Sequence, residues 1–121
     1  MRTVFAMVAG VALGIGGARG ALAHHSAAQF DFQNPVPVEG TVKLVEVRNP
    51  HIRLVLEVAR EDGSVRDVEF EGHSRNNVYR RGWRPDLLDV GYHVTIRIAP
   101  MRDGADGGYV TAFTLDDGTE F

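Results

Sequence analysis

Apolar and polar residues alternate with a period of two over most of this chain, the spacing of half-buried β-strands. From Val36 to Val47, residues Val36, Val38, Gly40, Val42 and Leu44 share one face, and Val45 and Val47 then carry the apolar character on the other parity. A strand that changes phase needs a bulge or a bend, which Gly40 would permit. Arg48-Asn49-Pro50 is a tight connection. His51 to Arg60 is the second strand, with Ile52, Leu54, Leu56 and Val58 inward and His51, Arg53 and Glu57 outward. Glu61-Asp62-Gly63-Ser64 is a hairpin turn with the favoured Asp-Gly pair. Val65 to Glu71 is the third strand, pointing Val68 and Phe70 inward.

The period then breaks. Ser74 can cap a short helix that Gly82 ends, with Val78 as its core contact. Trp83 and Leu87-Leu88 would cover one end of the domain. Tyr92, Val94, Ile96 and Ile98 alternate inward in a fourth strand that Pro100 ends. Asp103 to Gly108 is a glycine-rich hairpin loop, and Tyr109 to Leu115 is the fifth strand. Three strands, a helix and two strands is the order of a small five-stranded OB-like barrel, an all-β fold with one short helix whose long first strand serves two sheets. An open β-sandwich of the same strands is the runner-up.

The N-terminal end reads differently. Arg2 opens a positive end, Thr3 to Gly17 carries no charge, and Ala21-x-Ala23 fits a secretory cleavage site. The uncharged run is short of the roughly 20 residues needed to span a bilayer. Residues 1–23 are therefore expected to be a signal peptide, residues 24–35 an arm pinned by one or both of Phe30 and Phe32, and residues 36–121 the barrel. A periplasmic or secreted product without stable membrane insertion follows.

Composition narrows the chemistry. All 16 Asp and Glu lie beyond the leader, against 13 Lys and Arg that include Arg2 and Arg19 within it. The remaining domain is acidic, which speaks against nucleic acid as a partner. The absence of cysteine excludes disulfides, thiolate metal sites and cysteine nucleophiles. No serine lies in a nucleophile elbow, and there is no phosphate-cradling glycine loop and no HExxH.

Cleavage after Ala23 would leave His24-His25-Ser26 at the new N-terminus. The α-amine and Nδ1 of His24 can chelate one Cu(II), and further imidazoles from His25 and His51 can complete a nitrogen-rich, square-planar set. His51 is favoured because it follows a rigid Asn-Pro turn and faces outward. The plain alternative is a polar terminus with incidental histidines. His73 and His93 read as surface or capping residues. Asp67, Glu69 and Glu71 read as a solvated strand face. Arg80 and Arg81 beside Trp83 could clamp a carboxylate or a sugar by bidentate bonds and stacking. The simpler reading is a helix C-terminus whose cations answer the dipole, with Trp83 sealing the core.

Several short motifs stand in a fixed order: His24-His25-Ser26, Glu39-Gly40-Thr41-Val42, Asn49-Pro50-His51, Glu69-Phe70-Glu71-Gly72 and Arg80-Arg81-Gly82-Trp83. Together they resemble a family of small exported bacterial proteins known as a domain of unknown function. The resemblance implies export, a chain of this size and a β-rich fold, and it assigns no activity. Three functions are expected in descending order. The first is an exported module that binds copper or a similar transition metal through His24, His25 and His51. The second is an accessory domain that engages a partner protein or a glycan without metal. The third is a copper oxidoreductase with a His-brace site.

Overall fold

The computed structural model describes residues 27–121. Five strands run β1 (Val36–Glu46), β2 (Arg53–Ala59), β3 (Val65–Gly72), β4 (His93–Pro100) and β5 (Gly108–Leu115). Helix α1 (Arg75–Arg80) and a 3-10 turn at Pro85–Leu87 lie between β3 and β4. The strands close into a barrel in the order β1-β2-β3-β5-β4, with β4 returning to β1. This is the expected OB-like barrel, and closure sets aside the open sandwich.

β1 makes the closure. Its first half pairs with β4 from Val36↔Ile98 to Thr41↔His93, and its second half pairs with β2 from Thr41↔Glu57 to Glu46↔Arg53. Gly40 lies where the two pairings hand over. A Cβ there would stand 2.7 Å from the Glu57 carbonyl oxygen and 3.0 Å from the Leu56 Cβ, so only glycine lets the strands approach. The expected phase change is present as a register shift between Val42 and Leu44. It comes one residue earlier than the apolar pattern suggests. Lys43 is the extra residue, and Val45 and Val47, not Leu44, pack against the core.

Val42, Leu54, Leu56, Val94 and Ile96 are at most 1% exposed and form the barrel axis with Phe70. Each such side chain contributes roughly 1.5–3 kcal/mol through burial. Ile52, Val78, Trp83, Leu88, Val110 and Phe113 close one end. Besides Leu44, two residues expected inward are not. Val36 is 40% exposed at the start of β1. Tyr92 is 47% exposed because it belongs to the turn before β4, where its N–H donates to the Asp89 carbonyl.

α1 follows its sequence signals. Ser74 Oγ accepts from the Asn77 N–H at 3.3 Å. At the other end Gly82 takes φ +100, which lets its own N–H reach the Tyr79 carbonyl and the Trp83 N–H reach the Val78 carbonyl. That pair of bonds is a Schellman stop. It turns Trp83 back into the core at 4% exposure.

β3 and β5 touch in parallel at only two positions, Glu71↔Tyr109 and Gly72↔Val110. This short junction brings the end of β3, the start of β5 and the connection before β2 together. His51 and His73 meet there.

Candidate functional site

Tyr109 is the centre of the junction. The His51 ring stands edge-on to it with centroids 6.1 Å apart, and the His73 ring does the same at 5.3 Å. Phe30 and Phe32 complete the surround at 5.6 and 5.4 Å. Phe30 is 3% exposed, so the arm is pinned by this ring, whereas Phe32 is 46% exposed. Backbone bonds fasten the same segment: the Asp31 N–H donates to the Pro100 carbonyl at 2.8 Å and the Arg102 N–H donates to the Gln29 carbonyl at 2.9 Å. The root of the arm therefore lies beside Tyr109, the ring that His51 also meets.

His51 follows the cis Asn49–Pro50 bond and precedes β2. Its Nδ1 donates to the Gly72 carbonyl at 3.0 Å. In a regular ladder the Ile52 N–H would take that carbonyl, but it donates instead to the next one, His73 O, at 3.0 Å. The irregular strand end thus frees an acceptor for the imidazole. A carbonyl can only accept, so the Nδ1 of neutral His51 carries the proton and Nε2 keeps the lone pair. Metal-bound histidines in general are held in this way by their other ring nitrogen.

His73 is half-buried, not a plain surface histidine. Its Nδ1 lies 3.3 Å from the Tyr109 hydroxyl. Burial, then the Arg81 charge and the His51 charge, push its pKa below the ordinary histidine value. Burial, and then Glu71, raise the Tyr109 phenol. His93 is remote from this cluster and pairs with Asp116 at 2.9 Å, which raises its pKa. His24 and His25 lie outside the described residues. Among the described residues no group of three or more His, Asp and Glu side chains is placed to hold a metal ion.

Among the described residues, one carboxylate on the acidic strand face of Asp67, Glu69 and Glu71, that of Glu69, has a cation partner in an ion pair. Arg53 holds Glu69 at 2.8 Å across β2 and β3, and this contact keeps the Glu69 carboxyl below the usual range. Lys43 holds Glu57 at 2.8 Å.

Arg80, Arg81 and Trp83 do not form one clamp. Trp83 is buried and stacks on Tyr79 with centroids 5.9 Å apart and planes 14° apart. Arg75 and Arg84 cover Tyr79, each guanidinium 5.4 Å from its centroid. Arg80 and Arg81 stay exposed and instead share an open cleft with His73 and Asn77.

Sequence reasoning passed over Tyr109 as a site residue and read His73 as a surface or capping residue. The outward parity of Tyr109, opposite Val110 in β5, was the available signal. Nothing local announces that β5 meets β3.

No curated protein matches the chain in sequence. The sequence model of a family of unknown function, DUF6152, matches residues 13–111, most of the chain. The motif set that suggested such a family is thus accounted for, and the chain belongs to DUF6152.

Proposed function

We propose that this protein is an exported copper-binding module. Residues 1–23 act as the leader, and cleavage after Ala23 frees the amine of His24. That amine and the His24 imidazole chelate one Cu(II), and His25 and His51 supply further nitrogens, a donor set that suits a square-planar ion. The protein then works in the periplasm or outside the cell, carrying, sensing or delivering the metal.

The observation that supports this most is the setting of His51. Its Nδ1–H is tied to the Gly72 carbonyl, its Nε2 is left with a lone pair, and Phe30 docks the arm against the adjacent Tyr109. From His25 to Phe30 the chain can span at most about 17 Å. A short tether raises the effective concentration of the arm histidines toward His51 and lowers the cost of closing the chelate.

The test is a Cu(II) titration of protein that begins at His24, beside a form with one extra residue ahead of it. The added residue moves the free amine away from the His24 imidazole. One-to-one binding that weakens sharply in the extended form, with a nitrogen-rich EPR spectrum, supports the reading. Equal binding by both forms overturns it.

A further inference from the structure

We propose that the cleft between the end of β3 and α1 binds a small oxyanion, a carboxylate or a phosphate. The cleft is open, about 280 Å³, and is lined by His73, Asn77, Arg80 and Arg81. It contains no carboxylate. This proposal does not depend on the copper reading, because none of its four residues is a proposed copper ligand.

The charge balance around it is unusual for an acidic chain with a net charge of −3. Arg48, Arg53, Arg60, Arg66 and Arg102 all pair with carboxylates. Arg75 and Arg84 lie over the Tyr79 ring. Among the described residues, Arg80, Arg81 and Arg97 make neither an ion pair nor a cation–π contact, and of these Arg80 and Arg81 line one cleft. The helix dipole offsets only part of their charge. A dipole presents about half a negative charge at its C-terminus, whereas two guanidiniums bring two full positive charges to a helix of six residues.

The donors are also partly held in place. Arg81 Nη1 donates to the Thr111 carbonyl at 3.2 Å, which fixes the guanidinium against β5 and leaves its Nε and Nη2 hydrogens free. Arg80 Nη1 points at Asn77 Oδ1 at 3.5 Å, so the Asn77 amide turns its oxygen toward the cation and keeps its NH2 for a ligand. Two forked cations and an amide NH2 offer donors only, which matches the acceptor-only surface of a carboxylate or phosphate. The cleft is exposed, so the affinity belongs in the millimolar range and falls with salt.

The experiment is a pair of NMR titrations of the ¹⁵N-labelled protein at fixed ionic strength, one with inorganic phosphate and one with succinate. Saturable shifts confined to Asn77, Arg80, Arg81 and His73 are expected in at least one arm. Saturation with phosphate alone identifies a phosphate site, with succinate alone a carboxylate site, and with both a general oxyanion site. Arg80→Gln is expected to weaken the binding about tenfold, the loss of one charge-assisted pair. This substitution leaves the Thr111 contact intact, so the fold is retained, and a thermal melt checks it. Shifts that stay linear in both arms, or that spread evenly over the surface, overturn the proposal. Unchanged binding by folded Arg80→Gln overturns it as well.

Discussion

Replacing Phe30 with alanine should release the arm without unfolding the barrel. Phe30 is 3% exposed, so its burial contributes about 1.5–3 kcal/mol. Its ring contacts, tilted against Tyr109 at 5.6 Å and edge-on to Phe32 at 6.1 Å, add about 0.5–1.5 kcal/mol each in favourable cases. Part of this is offset because a freed arm regains conformational entropy. A net loss of about 2 kcal/mol is a reasonable expectation, and it corresponds to roughly 30-fold in an opening equilibrium. Phe30 does not belong to the contiguous core cluster. The loss should therefore appear as local opening, not as a fall in global stability. Native-state hydrogen exchange reads this directly. The Asp31 and Arg102 amides, bonded to the Pro100 and Gln29 carbonyls, should lose about 30-fold of protection, provided they open locally in the parent. The Val42 amide, bonded to the Tyr92 carbonyl in the core, should be unchanged. Equal loss of protection at Val42 would refute the reasoning, because it would mean that the arm and barrel unfold as one unit.

Other substitutions probe the barrel and its charges. Gly40→Ala should destabilise the protein by about 1–3 kcal/mol in urea unfolding, because the new Cβ meets the Glu57 carbonyl oxygen at 2.7 Å where β1 serves two neighbours. Ser74→Ala should cost about 1 kcal/mol through loss of the α1 cap, with little change to the β-sheet circular dichroism. His93 is bonded to Asp116 and has a raised pKa when folded, so its contribution is fully present below the ordinary value of 6.5 and is lost as pH rises through the raised value. The parent-minus-His93→Gln difference in urea midpoint should shrink over that window, and a difference that grows with pH would contradict the pairing. His73 acts in the opposite sense. Burial lowers its folded pKa, so its neutral form favours folding above 6.5 and that advantage is lost as pH falls toward the lowered value.

The barrel was legible in the sequence because its strands are half-buried, and burial on one face writes a period of two. The order of strands, helix and strands then limited the topology to very few choices. The position of the bulge was less legible. Val45 and Val47 announced a change of phase, but placing the extra residue at Lys43 depends on β1 pairing with β4 on one side and β2 on the other. Tyr92 misled for a related reason: its parity fits the strand, yet the turn at Asp89 claims its N–H and leaves the ring at the surface. The site was legible only in part. His51 stood out through its Asn-Pro turn, but its hydrogen bond to Gly72 joins residues 21 apart in sequence. Tyr109 and His73 meet only because β3 and β5 close the barrel over two residue pairs. Trp83 follows the simpler of its two sequence readings: the Schellman stop turns it into the core and leaves Arg80 and Arg81 at the surface.

The central claim is that the arm histidines and His51 hold one copper ion between them. The most direct test is the Cu(II) affinity of His51→Ala against the parent, both beginning at His24, with thermal melts to confirm that both are folded. Loss of an imidazole ligand should weaken binding at least about tenfold, the lower end of what even a supporting partner contributes, and should remove one nitrogen from the EPR pattern. Affinity and spectrum equal to the parent's would contradict the account.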